Sequence, residues 1–301
     1  MKFYPVTIFC YNRPKHLSNL INSIKKNANY QKFNYIIFCD GPRNANDIKD
    51  IKKISKILKK NSFIKKENII YRKKNIGLAK NIISGVSTVL NKNLATIVLE
   101  DDLQLGRHAL TFVNYHLNKS KDNKKVASIS AYSYIHDLKL KKIFYNYSLK
   151  RHCSWCWGTW SDRWKPVKWN GDYKKHFKNK SSIEKFNSLG RDMNLMLWGH
   201  TKNLINSWSI RFNYYCMKKS LISIQPRYSL VLNKGVGKKG TNQKFSQNQK
   251  FDNLNKISKN KFNTNIFQSK KIDHYIKNKH KKSIRLTFNF LIDKIFNIIF
   301  K

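Results

Sequence analysis

From residue 5 to residue 102 the chain repeats one alternation. A short run of β-branched and aromatic residues is followed by a longer stretch with apolar residues at helical spacing. Pro5-Val6-Thr7-Ile8-Phe9-Cys10 reads as a strand. Residues 14–27 read as a helix, with Pro14 near its start and Leu17, Leu20, Ile21 and Ile24 on one face. Tyr35-Ile36-Ile37-Phe38-Cys39 is the next strand, ended by the turn signal Asp40-Gly41-Pro42, and residues 46–60 are a basic helix with Ile48, Ile51, Ile54 and Leu58 in register. Asn68-Ile69-Ile70-Tyr71 is a third strand, and residues 77–90 a helix presenting Leu78, Ile82, Val86 and Val89. Repeated strand–helix units predict an α/β fold: a mainly parallel, Rossmann-like sheet with right-handed crossovers and helices on its flanks. Ligands of such sheets bind at the carboxyl ends of the strands. Asn12, Arg13 and Asp40 all fall there.

The fourth strand, Thr96-Ile97-Val98-Leu99, runs directly into Glu100-Asp101-Asp102. The chain has 16 Asp and Glu against 61 Lys and Arg, so three adjacent carboxylates are not an ordinary solvated patch. Like charges on consecutive residues repel, and a hard divalent cation such as Mn²⁺ or Mg²⁺ offsets that repulsion through carboxylate oxygens, often shared with a substrate's phosphates. The trio therefore predicts a metal site for a phosphate-bearing substrate.

The net charge of +45 attracts polyanions: an anionic membrane surface, an anionic sugar nucleotide, or nucleic acid. Nucleic-acid binding through lysines and interleaved aromatics is one alternative reading, but the trio would repel a phosphate backbone. Cys10 and Cys39 lie in apolar strands and read as small buried hydrophobes, while Cys153 and Cys156 have a CxxC spacing with no second pair to complete a zinc site. The odd cysteine count and the absence of a signal-peptide pattern predict a cytoplasmic, reducing setting. No apolar run reaches the roughly 18 residues of a membrane-spanning helix.

Composition changes after about residue 125. All seven tryptophans (155, 157, 160, 164, 169, 198 and 208) fall in the next stretch, and Trp157-Gly158-Thr159-Trp160 predicts either an aromatic sugar pocket or a core. Three regions result: residues 1–125 with the strand–helix repeat, residues 126–240 with the tryptophans, and a basic tail over 241–301. Residues 235–281 are rich in Lys, Asn and Gln and read as loosely ordered. Residues 282–300 read as an amphipathic helix flanked by lysines, suited to an anionic membrane surface.

Several motifs together resemble a family. Val6-Thr7-Ile8-Phe9-Cys10-Tyr11-Asn12-Arg13-Pro14, Phe38-Cys39-Asp40-Gly41, Asn75-Ile76-Gly77-Leu78-Ala79-Lys80 and Leu99-Glu100-Asp101-Asp102-Leu103 follow the order and approximate spacing of GT-A glycosyltransferases. The pattern resembles bacterial family-2-like sugar transferases and, more distantly, the N-acetylglucosaminyltransferase I type. Trp157-Gly158-Thr159-Trp160-Ser161-Asp162-Arg163-Trp164 and Asn206-Ser207-Trp208-Ser209-Ile210-Arg211-Phe212 resemble acceptor-half motifs of the same bacterial group.

The resemblance implies a GT-A fold and transfer of a sugar, with inversion, from a nucleotide-diphospho-sugar (a UDP-sugar) to a hydroxyl of a bacterial surface glycan or glycolipid. It implies that Asp102 binds the metal and that Glu100 or Asp101 faces the ribose or donor sugar. Asp40 would accept from the uracil imide, Arg13 would lie near the base or phosphates, Lys80 near the diphosphate and Trp160 in the donor site. An inverting transferase needs a carboxylate base, and the candidates in the acceptor half are Asp162, Asp172, Glu184 and Asp192, with Asp192 preferred and Asp162 next. Ser209 stands where the distant relatives carry an acid, and Gly240-Thr241-Asn242 where the bacterial group often reads Gly-Thr-His, which keeps a catalytically silent relative as a further alternative. The implied location is the inner face of the bacterial inner membrane, held by the basic tail, with no nucleic-acid partner.

Overall fold

The computed structural model describes residues 1–135, 138–139, 145–235, 266–280, 287–288 and 290. The first half runs β1 (Val6–Cys10), α1 (Pro14–Lys25), β2 (Tyr35–Cys39), α2 (Ala45–Lys59), β3 (Ile69–Tyr71), α3 (Leu78–Lys92), β4 (Ala95–Glu100), β5 (Leu103–Leu105), α4 (Ala109–Lys119) and β6 (Val126–Ser130). The second half runs β7 (Asn146–Leu149), β8 (Trp157–Trp160), α5 (Ser161–Trp164), α6 (Lys180–Asn187), α7 (Met193–Thr201), α8 (Trp208–Lys218), β9 (Ile222–Pro226), β10 (Val231–Asn233) and α9 (Lys270–Lys279).

Eight strands form one sheet in the order β3-β2-β1-β4-β8-β6-β9-β7. The strands β3, β2, β1 and β4 are parallel, as the strand–helix repeat requires. The second half departs from the expected parallel pattern: β8 runs antiparallel between β4 and β6, and β7 antiparallel to β9. The pleat sends alternate residues to opposite faces. Val6, Ile8 and Cys10 of β1 pack with Leu17, Leu20 and Ile24 of α1, Ile54 and Leu58 of α2, and Val113 of α4. Phe9, Phe38 and Val98 point the other way, into Ile82, Val86 and Val89 of α3 and Phe212 of α8. Two positions in the expected helical stripes, Ile48 and Leu78, face solvent instead.

The tryptophans resolve in favour of the core. Trp157, Trp164 and Trp208 lie under α3, α5 and α8, with Trp157 and Trp208 stacked at 4.9 Å. Gly158 is fixed by close approach: a Cβ there would lie 2.8 Å from Leu117 Cδ1 and 2.9 Å from Val113 Cγ1 of α4. The CxxC cysteines, like the other three, are free and buried.

Residues 266–280, within the stretch read as loosely ordered, carry regular structure. Phe267 forms a parallel bridge with Tyr147 at the β7 edge of the sheet. Helix α9 then buries Ile272 and Ile276 against Ile135, Tyr147 and Leu149. Of the expected amphipathic helix over 282–300, only residues 287, 288 and 290 are described. Phe290 packs edge-on against Trp198 of α7 at 5.2 Å, while Phe288 is exposed. Gly240, Thr241 and Asn242 lie outside the described residues. No helix among the described residues is long and apolar enough to cross a membrane.

Trp157→Ala removes the ring at the centre of the second core. Its expected cost is about 3–5 kcal/mol of folding free energy, read as a lower urea midpoint with an unchanged slope.

Candidate functional site

Strand β4 ends at Glu100, and the chain turns through Asp101 and Asp102 into β5. This turn occupies the carboxyl edge of the parallel half, beside the loop that joins β1 to α1. That loop ends at Arg13, the residue preceding Pro14 and the first turn of α1. The Arg13 guanidinium forks over two carboxylates. Nη2 donates to Asp101 Oδ1, and Nη1 donates to Asp102 Oδ2 at 3.1 Å. From the other side β10 pairs antiparallel with β5, bringing Asn233 opposite Leu103. The Lys234 N–H donates to the Asp102 carbonyl at 2.8 Å. Gly235 then passes so close that a Cβ there would run into the Asp102 carboxylate and require it to shift.

The arrangement is electrostatically unbalanced. Among the described residues one guanidinium, that of Arg13, pairs with two of the three carboxylates, Asp101 being 2% and Asp102 12% exposed. Burial pushes the Asp101 carboxyl up to about 7, with Arg13 opposing the rise and Asp102 adding to it. Burial, then the charges of Asp102 and Asp101, pushes Glu100 up to about 8, again against the pull of Arg13. Asp101 Oδ2 and Asp102 Oδ1 are buried and accept no hydrogen bond among the described residues. Buried carboxylate oxygens without partners are costly. They are also hard oxygen donors, and so fit Mn²⁺ or Mg²⁺. Among the described residues no group of three or more His, Cys, Asp or Glu converges to hold a metal unaided. A cation bound here would need ligands beyond the carboxylates of the described residues.

Asp40 sits at the end of β2, where the sequence placed it. Its Oδ1 accepts from the N–H groups of Gly41 at 2.9 Å and Ile76 at 3.0 Å, and its Oδ2 from Gly77 at 3.0 Å. The carboxylate therefore ties the β3–α3 loop to the β2 end, a role the sequence reading did not include. Oδ2 keeps one acceptor position. Lys80 is exposed in the first turn of α3, where the helix start has no side-chain cap. Its charge adds to that of the unsatisfied N–H groups, which favour an anion.

Two expected site residues lie elsewhere, and a third is held in an ion pair. Strand β8 runs antiparallel to β4 with Trp160 opposite Ala95, so its end is at the amino end of β4. That is about 15–20 Å from the trio at roughly 3.3 Å per residue. Trp160 is 0% exposed there, donates from Nε1 to the Leu117 carbonyl at 3.2 Å and stacks under Arg163. It is a core residue rather than part of a donor site. Asp162 follows it, 44% exposed and ion-paired with Lys124 and Arg163. A base for chemistry at the trio cannot act from the opposite end of the sheet. Asp192 is gripped by both Nη groups of Arg151, at 2.7 and 2.8 Å. Burial alone would raise its pKa, but the Arg151 charge and hydrogen bonds outweigh burial and hold the carboxyl below its ordinary value. With both oxygens engaged by a guanidinium, Asp192 is a structural anchor and a weak base.

Two residues that the sequence reading passed over organise the site. Asp47, in the first turn of α2, accepts from Tyr11 Oη, from Asn12 Nδ2 at 2.7 Å and from the Arg43 N–H at 2.9 Å. It thereby fixes the loop that presents Arg13. Its signal was local: Asn44 caps α2 by accepting from the Asp47 N–H at 3.0 Å, a capping spacing. Gly235 had no local signal, because its place follows from the β10–β5 pairing.

No protein-family model and no curated protein matches the chain. Among solved structures, S. aureus TarS 1–349 in complex with UDP-GlcNAc aligns over 42% of this chain and 33% of its own, at 15% identity and a TM-score of 0.31. GalNAc-T7 with UDP, GalNAc and Mn²⁺ aligns over 76% of this chain and 43% of its own, at 7% identity and a TM-score of 0.48. The mannosyltransferase PcManGT from Pyrobaculum calidifontis, in complex with GDP-Man and Mn²⁺, aligns over 46% and 38%, at 12% identity and a TM-score of 0.32. The chain thus spans less than half the length of each of these structures.

The raised carboxyls make a pH prediction. Where a folded pKa exceeds the unfolded one, the folded chain holds a proton that the unfolded chain has released. Stability from that proton falls as pH rises through the interval, here from about 4 to about 8. In chelator, Glu100→Gln should gain urea resistance over wild type as pH rises from about 5 to about 8, and Mn²⁺ should narrow the gap. Parallel pH profiles for the two proteins would contradict this electrostatic reading.

Proposed function

We propose that the chain is a metal-dependent glycosyltransferase that moves a sugar from a nucleotide-diphospho-sugar to a hydroxyl acceptor. One observation carries the reading: the carboxylate trio at the carboxyl end of β4, with two buried oxygens lacking partners among the described residues and only one guanidinium opposite. A site of this kind suits a divalent cation that shares its ligands with a diphosphate.

The proposed roles follow from position. Asp102 and substrate oxygens would hold Mn²⁺ or Mg²⁺, and the ion, when bound, would supply charge neutralisation for the departing nucleoside diphosphate. Glu100 or Asp101 would face the ribose or donor sugar. Lys80 and the α3 N-terminus favour the diphosphate. The remaining acceptor position on Asp40 Oδ2 favours a base with an imide N–H, hence a UDP-sugar. With Asp162 and Asp192 both ion-paired, neither is assigned as base, and inversion is kept as part of the proposal without one.

The finer reading is a surface-glycan transferase, acting on lipopolysaccharide, O-antigen or capsule. It would be peripheral on the cytoplasmic face of a bacterial inner membrane, with the +45 charge drawn to anionic lipid. A catalytically silent sugar-nucleotide binder is the second reading, favoured by the ion pairing of both candidate bases.

Incubation with a panel of nucleotide sugars, glycan acceptors and Mn²⁺ tests the proposal. Nucleoside diphosphate release from one donor is expected, abolished by chelator and reduced at least about 100-fold in Asp102→Ala. Donor binding without release in any acceptor mixture would favour the silent reading. Release that survives chelation or Asp102→Ala would refute the metal-dependent one.

A further inference from the structure

Arg13 occupies the position where the trio needs positive charge. Its two Nη groups take one oxygen each from Asp101 and Asp102. Both bonded carboxylates keep a second, buried oxygen without a partner among the described residues. A guanidinium and a divalent cation on the same carboxylate repel each other, so the two compete for Asp102. Arg13 is also more exposed than the carboxylates it pairs with. Its side chain is 32% exposed and hangs from the residue that precedes α1, while the aspartates are fixed in a turn between two strands. Its planar fork matches a phosphate as well as a carboxylate.

We propose that Arg13 is the resident counter-cation of the trio, and that it yields Asp102 to a divalent cation when a nucleoside diphosphate takes its guanidinium. The inference rests on the metal-dependent reading above and adds an order to it. The metal alone meets a carboxylate with Oδ2 taken and a guanidinium charge beside it, and the metal together with the diphosphate meets one with both oxygens released. Arg13 is on this account a positioning residue, which keeps the carboxylates paired between turnovers and couples metal capture to donor capture.

The test is Mn²⁺ binding, followed by the loss of the free-ion electron paramagnetic resonance signal, with and without UDP. Wild type is expected to bind Mn²⁺ weakly alone and more tightly with UDP. Arg13→Gln should bind Mn²⁺ alone at least about tenfold more tightly than wild type, the scale of one charge-assisted hydrogen bond, and should lose most of the UDP dependence. Arg13→Lys keeps the charge without the fork and should fall between the two. It carries the test if Arg13→Gln does not fold, with melting of each metal-free variant measured alongside. Mn²⁺ affinity no higher in these variants than in wild type, with UDP-enhanced binding intact, would overturn the exchange and leave the metal site standing. Failure of every protein to bind Mn²⁺, with or without UDP, would overturn both.

Discussion

The architecture of the site depends on a charge imbalance that the fold imposes. A hydrophobic strand in the middle of the sheet must stop where its carboxyl end meets solvent. This chain places three carboxylates at that point and, among the described residues, opposes them with a single guanidinium. Burial makes the imbalance matter, since the same charges in water would interact weakly. The surrounding elements can be understood as holding this arrangement in place. Asp47 braces the loop that carries Arg13, the β10–β5 pair brings Gly235 against Asp102, and Asp40 ties the α3 loop to the same sheet edge.

The two halves of the molecule differ in how they are stabilised. The first is a parallel sheet between aliphatic helices. The second closes on large aromatic rings, with a buried Arg151–Asp192 pair between β7 and α7. A buried pair of this kind is strongly destabilising to break, because one uncompensated charge remains inside. Helix α9 seals the neighbourhood: the Arg191 N–H donates to the Lys277 carbonyl at 3.2 Å, and His280 lies edge-on to Tyr134 at 4.9 Å. The chain beyond residue 265 is thus partly built into the second half.

The first half was legible because its information is local. Strand and helix periods, Pro14 at a helix start and Asp40-Gly41-Pro42 at a strand end each fix an element without reference to distant residues. The trio was legible for the same reason, as an apolar strand followed by charge. The second half was less so. Whether Trp160 and Asp162 sit at the site or on its far side depends on the direction of β8, and no local pattern encodes that direction. Tryptophan density reads alike for a sugar platform and for a core, and here burial decided for the core. The Asp192 side chain looked like a free carboxylate because its partner, Arg151, is distant in sequence. Helix α9 was hidden in a Lys- and Asn-rich stretch whose two core contacts, Ile272 and Ile276, are a single i,i+4 pair.

On the proposed reading, the trio takes a divalent cation jointly with a nucleoside diphosphate. Calorimetric titration of UDP into the protein, once with Mn²⁺ and once with chelator, tests it most directly. Binding that requires Mn²⁺ and disappears in Asp102→Asn is expected. Equal UDP affinity under both conditions, unaffected by that substitution, would contradict it.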